Sequence, residues 1–269
     1  VPTKGNSAYV TLSELRYFGT REQGQSTLHD GSLTLTKNLT VPRIGPALDA
    51  DDTPRRDRLV VEYNTSTNPT ENGVVKDTSG RGNDGVFRGS ASYDATEKAL
   101  VFPGSTGNYL TTGALKTFVD DQAYTIGGWF RRTNASTARQ DWFYLGKTGT
   151  AYGSGFSIFT TGNTTYAYGY GNDIFSTTNQ IPNQSWYHVM ITFVGGIPNT
   201  TNKKVYINGV DVTSAFGDGT PTHIQNFQPD YPLVLGIGAD LANESPVNIS
   251  NFKLYDVALT ATEVKRLYD

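Results

Sequence analysis

A chain of 269 residues without a single cysteine excludes a disulfide framework, a thiolate metal site and a cysteine nucleophile, so its stability must come from its core. A net charge of −3, with Lys and Arg never gathered into long clusters, leaves no electrostatic basis for tracking a phosphate backbone, which argues against nucleic acid as a partner. Aromatic residues at 12%, with 16 Tyr and 13 Phe beside only 17% charged residues, describe a sheet-rich, loop-rich chain; no apolar run is long enough to insert in a membrane.

The segment 1–57 contains YVTLSELRYFG, a polar stretch, SLTLTKNLTV and IGPALDADDTPRRDR, where Pro, Asp and Arg crowd together like a linker. Two strands and a linker are too little for an independent fold. The stretch Val10–Tyr17 has the apolar and basic spacing of Val247–Tyr255, so 1–57 is expected to be the end of a preceding module or an edge extension. A start at Val1 rather than Met suggests a processed product or an excised fragment. The main domain is expected over 58–269.

From Leu59 onward, alternation of apolar and polar residues predicts strands near 59–64, 74–76, 84–88, 98–102, 107–111, 123–132, 140–147, 154–160, 164–170, 173–177, 186–194, 203–208, 232–237 and 248–256. Asn208-Gly209 between VYI and VDV is a strong signal for a two-residue hairpin. One helix is expected, over 260–268, with Thr260 as N-cap, Glu263 completing a capping box, and Val264, Leu267 and Tyr268 facing the sheets. The fold class is therefore all-β, a two-sheet antiparallel sandwich closed by one short C-terminal helix. Eight N-x-S/T sequons, at Asn38, Asn64, Asn134, Asn163, Asn183, Asn199, Asn243 and Asn248, read first as markers of surface loops.

Six motifs in order carry a resemblance. VVKDTSGRGNDGVFRG is similar to the D-x-S-G-x-G-N-x-G turn of laminin-G-like, concanavalin A-like jelly rolls, and ALVFPGSTGNYLTTG and YTIGGWF are similar to the strands that follow it. WYHVMITF resembles the family's W-x-H-V-x-x-T-F strand, VYINGV its N-G hairpin, and FKLYDVALTATEVKRLY its closing strand and helix. The resemblance spans about Leu59 to Asp269 and implies a jelly roll. It also implies that Trp129 and Trp186 are core residues. Family acids in the first and last strands, which in many relatives hold a structural calcium ion, correspond here to Tyr63-Asn64-Thr65 and Ser250-Asn251-Phe252, both neutral. Asp77 and Asp84 are the remaining weak calcium candidates; no cofactor is expected and calcium is not favoured.

No catalytic constellation stands out. His188 lies within the WYHVMITF strand, where a packed histidine is the simpler reading than a general base. No strand carries the paired carboxylates of a retaining glycosidase. Ser13-Glu14-Leu15-Arg16 resembles a fragment of one alginate-lyase family, which keeps a polysaccharide lyase or hydrolase as the alternative. Sugar recognition needs aromatic faces framed by hydrogen-bonding groups. The expected ligand-facing residues are Trp142, Tyr152, Tyr168, Tyr170, Asn172, Asp173, His223 and Asp230, although for Tyr166, Tyr168 and Tyr170 taken alone a cross-strand ladder is the simpler reading. The reading is a non-catalytic module of a larger extracellular, cell-surface or virion-surface protein, with a glycan or surface polysaccharide and neighbouring modules as partners. A purely structural capsid, fibre or adhesin module stays as a further alternative.

Overall fold

A computed structural model describes residues 27–29, 32–34, 53–134, 139–146, 155–161, 164–169, 174–176, 181, 184–214, 221–238 and 245–269. The chain divides into two compact units, Val1–Pro46 and Ala47–Asp269. In the first unit β1 (Thr27–His29) pairs antiparallel with β2 (Ser32–Thr34). The echo segment Val10–Tyr17 and the Ser13–Arg16 fragment lie outside the described residues.

The second unit begins with a 3-10 turn at Arg56–Arg58, tied down by the Arg58 guanidinium on Asp256 at 2.6 Å. It continues as β3 (Leu59–Tyr63), β4 (Thr70–Glu71), β5 (Val74–Val75), β6 (Gly85–Phe87), β7 (Ser92–Asp94), β8 (Ala99–Pro103) and β9 (Leu110–Ala114). The long strands β10 (Tyr124–Arg132), β11 (Gln140–Gly146), β12 (Gly155–Thr161) and β13 (Thr164–Tyr168) follow, then β14 (Ile174–Ser176) and β15 (Trp186–Phe193). The chain closes with β16 (Lys203–Ile207), β17 (Val210–Asp211), β18 (Pro232–Leu235), β19 (Pro246–Tyr255) and α1 (Ala261–Tyr268).

One sheet runs β17-β16-β15-β10-β19-β8-β7, with β3 also pairing β19; the other runs β14-β13-β12-β11-β18-β9-β6-β5-β4. Every pairing is antiparallel, as strands joined by short turns and crossing loops require. Ile126 and Phe130 of β10, Val189, Ile191 and Phe193 of β15, and Ile249, Phe252 and Leu254 of β19 join Phe143, Leu145, Phe156 and Leu233 in one core. Each such side chain, fully buried, is worth about 1.5–3 kcal/mol. The inward alternation slips at Ser250-Asn251, where the pairing with β10 shifts across Gly128 and Asn251 takes a left-handed φ of 48°. That is a bulge. A Cβ on Gly128 would stand 3.0 Å from the Ser250 and Asn251 carbonyls, so glycine lets the bulged backbone come close.

Asn208 and Gly209, with φ of 51° and 74°, form the expected turn between β16 and β17. Helix α1 starts at the expected cap: the Glu263 amide donates to Thr260 Oγ1 and the Thr260 amide donates to Glu263 Oε2. Val264 is buried against Leu59, Met190, Tyr206, Tyr255 and Leu259, a second cluster distinct from the inter-sheet core. The helix therefore covers the outward face of the sheet that contains β10, β15 and β19. Strands β4 and β7 were not expected; each is two or three residues long, too short to show a period of two.

Candidate functional site

On that outward face the register sets two rows. His188, Trp129 and Ser250 stand side by side across β15, β10 and β19, and the adjacent row is Met190, Gly127, Lys253 and Glu62. Over these rows opens a pocket of about 250 Å³, slightly below the ~300 Å³ at which sites for drug-sized ligands begin. Trp129, His188, Met190 and Lys253 come from the strands and Asn251 from the bulge; Thr53, Asn64 and Ser66 flank β3, while Arg266 and Leu267 come from the last turn of α1. Four elements far apart in the chain meet here.

His188 is 3% exposed, and its Nδ1 has no hydrogen-bond partner. Asn208 holds its backbone from both sides, accepting from the His188 amide at 3.0 Å and donating to its carbonyl at 2.8 Å. Burial, helped by the Lys253 charge, drives the imidazole down to about 3, so it is neutral across the ordinary pH range. Trp129 is half-buried: it lies 5.3 Å from the His188 ring and stacks on Tyr268 at 5.7 Å. Lys265 Nζ sits 5.2 Å over the far ring of that stack. Lys253 donates to Glu62 at 2.6 Å, and Glu62 also accepts from Arg56 at 3.2 Å and Thr78 at 2.8 Å. Burial pushes the Glu62 carboxyl up, but Lys253, Thr78 and Arg56 outweigh it and hold it below its usual value.

Beside the pocket, the positions that correspond to family acids bond to one another. Thr65 Oγ1 and Ser250 Oγ are 2.7 Å apart, the Thr65 amide donates to Asn251 Oδ1 at 3.1 Å, and the Asn251 amide donates to Thr65 Oγ1 at 3.1 Å. Asp77 accepts from the amides of Glu62, Ser79 and Asn83 and from Ser79 Oγ. Asp84 accepts from the Asp77 amide and Lys76, and the amide bond first, then Lys76, holds its carboxyl low despite some burial. Both are turn-capping carboxylates. Among the described residues no group of three or more His, Cys, Asp or Glu is placed to hold a metal ion.

The structure distributes the expected ligand-facing residues widely. Trp142 is fully buried and stacks on Phe130 at 4.8 Å, so it is a core residue with no face to offer a sugar, against expectation. His223 and Asp230 are exposed in the loop between β17 and β18, away from the pocket lining, with Thr222 Oγ1 2.8 Å from His223 Nδ1. Tyr168 ends β13 with only its backbone described, while Tyr152, Tyr170, Asn172 and Asp173 lie outside the described residues. Trp129 and Trp186, expected in the core, are instead half-buried on the outward face; Arg131 lies 5.4 Å over Trp186. The sequon Asn248 is 5% exposed on β19, a strand position rather than a surface loop.

Of the site residues missed from sequence, Trp129, His188, Asn251, Lys253 and Arg266, the first two had a visible signal. In YTIGGWF and WYHVMITF the inward set is Tyr124, Ile126 and Phe130, and Val189, Ile191 and Phe193; Trp129 and His188 fall on the opposite parity.

A family model described as concanavalin A-like lectin/glucanases superfamily matches residues 104–265. No curated protein matches the sequence. Among solved structures, the chain is similar to the binding domain of Paraclostridial Mosquitocidal Protein 1, at 16% identity and a TM-score of 0.58 over 79% of this chain and 52% of that one. It is similar to a Trypanosoma rangeli sialidase in complex with sialic acid, at 16% identity and a TM-score of 0.58 over 84% and 35%. It is also similar to domain 4 of AbnA, an extracellular arabinanase of Geobacillus stearothermophilus in complex with arabinotriose, at 19% identity and a TM-score of 0.58 over 79% and 98%. The chain spans about half the length of the first of these structures.

Proposed function

The chain belongs to the concanavalin A-like lectin/glucanases superfamily, and from that premise we propose that it is a non-catalytic carbohydrate-binding module of a larger extracellular, cell-surface or virion-surface protein. The observation that carries the reading is Trp129, an indole half-buried in a pocket that it lines together with Met190, Leu267 and several hydrogen-bonding groups, next to a deeply buried histidine whose Nδ1 is unpartnered. An aromatic face against sugar C–H bonds, with Asn64, Ser66, Asn251 and Thr53 around it for hydroxyls, is the chemistry that saccharide recognition uses. Structures similar to this one include a sialidase solved with sialic acid and an arabinanase domain solved with arabinotriose, which agrees with the reading. An imidazole with a pKa of about 3 is a weak proton acceptor at neutral pH, which favours binding over β-elimination or hydrolysis at this pocket.

A glycan array read in parallel with reducing-end and unsaturated-uronate assays tests the proposal. Binding without product, lost in Trp129→Ala, is the expected result. Release of product would establish the lyase or hydrolase alternative, and silence in both assays would leave a structural module.

A further inference from the structure

Just past the point where Tyr63 of β3 pairs with Phe252 of β19, side chains take over from the strand ladder. Thr65 is fully buried there and has a partner for every polar group it carries. Its amide donates to Asn251 Oδ1 at 3.1 Å, and its Oγ1 accepts from the Asn251 amide at 3.1 Å and lies 2.7 Å from Ser250 Oγ. Its carbonyl accepts from the Tyr93 hydroxyl at 3.1 Å. Asn251 reaches Thr65 with both backbone and side chain from a left-handed φ of 48°, a conformation asparagine tolerates better than most residues. Asn251 itself lines the pocket, as do Asn64 and Ser66 on either side of Thr65.

These positions correspond to the family acids that hold a structural calcium ion in many relatives, and the oxygens found here do not fit that ion. Calcium takes roughly 6–8 oxygen ligands at about 2.3–2.6 Å, with carboxylates among them. Here the two hydroxyls and the amide side chain are neutral, and each is already bonded to another member of the group. The neighbouring carboxylates are engaged as well: Glu62 with Lys253 at 2.6 Å and Arg56 at 3.2 Å, and Asp77 with the amides of Glu62, Ser79 and Asn83. We propose that Thr65, Ser250 and Asn251 form a metal-free clasp in the place of a calcium ion, closing β3 onto β19 and fixing the adjoining wall of the pocket. Each buried member depends on its partners, so the three act as one unit, whatever the pocket binds.

Thermal unfolding of the full chain is the test, with calcium as the probe. After treatment with EDTA and dialysis, the native chain is expected to melt within about 1 °C of its midpoint in excess calcium, because an ion that binds only the folded state would raise that midpoint. Thr65→Val deprives Ser250 Oγ and the Asn251 amide of their shared partner, and is expected to lower the midpoint by roughly 5 °C or more, while Thr65→Ser recovers over half of that loss. Ser250→Ala is expected to cost roughly 2 °C alone and to add little to Thr65→Val, since the two lose the same bond. A rise of several degrees when calcium is added to the EDTA-treated native chain would overturn the metal-free clasp. Full additivity of Thr65→Val and Ser250→Ala would overturn it too. Should Thr65→Val not fold, Ser250→Ala carries the comparison, and a midpoint equal to the native one in that variant would be the overturning result.

Discussion

Trp129 supplies the largest flat face of the pocket, and Tyr268 stacked behind it fixes its plane. Truncating it to alanine is expected to weaken saccharide binding by about 10- to 100-fold, the loss of one aromatic stacking surface, and to cost ~1–2 kcal/mol of stability through the lost contacts with Tyr268 and His188, leaving the domain folded. Calorimetric titration against the bound oligosaccharide checks this. His188 makes a separate prediction. Its folded pKa is about 3 and its ordinary value is 6.5, so over that window the unfolded chain holds more protons than the native one. The associated stability is complete above pH 6.5 and falls as pH is lowered, by ~1.4 kcal/mol per unit, toward the folded value. Glu62 acts in the same direction but only below the usual carboxylate range, which leaves the window above pH 5 to the histidine. Urea unfolding at pH 7.5 and pH 5 is expected to show a loss of about 2 kcal/mol in the native chain, much reduced in His188→Asn. Equal losses in the two proteins would show that His188 is not buried as described. At this scale the sequence was half legible. The tryptophans were noticed, but matching Trp129 to a core strand passed over the parity that turns it outward, while Trp142, expected to face a ligand, points from β11 into the core.

At the scale of the element, what was legible depended on length and on local chemistry. The α1 capping box and the Asn208-Gly209 turn were readable because each is a contiguous pattern with one backbone solution. Removing the cap with Thr260→Ala is expected to cost ~1 kcal/mol. Because α1 brings Arg266 and Leu267 to the pocket, the same change should weaken ligand binding by a few-fold, an effect that thermal unfolding and titration read separately. The strands β4 and β7 were invisible for want of length, and β9, expected over 107–111, runs from Leu110 to Ala114. Gly127 is the element-level weak point of the site. A Cβ there would stand 2.0 Å from the Val189 carbonyl and 2.8 Å from Met190 Sδ, between two paired strands. Gly127→Ala is expected to destabilise the domain by ~3 kcal/mol or more, or to prevent its accumulation as folded protein. A variant with native stability would mean that β10 and β15 are not held at this separation.

At the scale of the whole molecule, the sandwich was legible and the site was not. Six motifs in order announced the architecture because jelly-roll strands repeat local signals along the chain. The pocket has no such signature: its lining is drawn from Thr53 to Leu267, through the register of β10, β15 and β19 and the docking of α1. All of it lies in the unit Ala47–Asp269. A fragment over 47–269 is therefore expected to bind the oligosaccharide as the full chain does. A cut at Leu59 removes Thr53, the Arg56 bond to Glu62 and the Arg58 bond to Asp256, and is expected to lose both stability and binding. The most direct test of where the ligand sits is a paired titration of Trp129→Ala and Trp142→Phe with the oligosaccharide that the array identifies. The outward-face pocket predicts that Trp142→Phe keeps its affinity while losing ~1–3 kcal/mol of stability, and that Trp129→Ala, still folded, loses its affinity. Retained affinity in Trp129→Ala would contradict it.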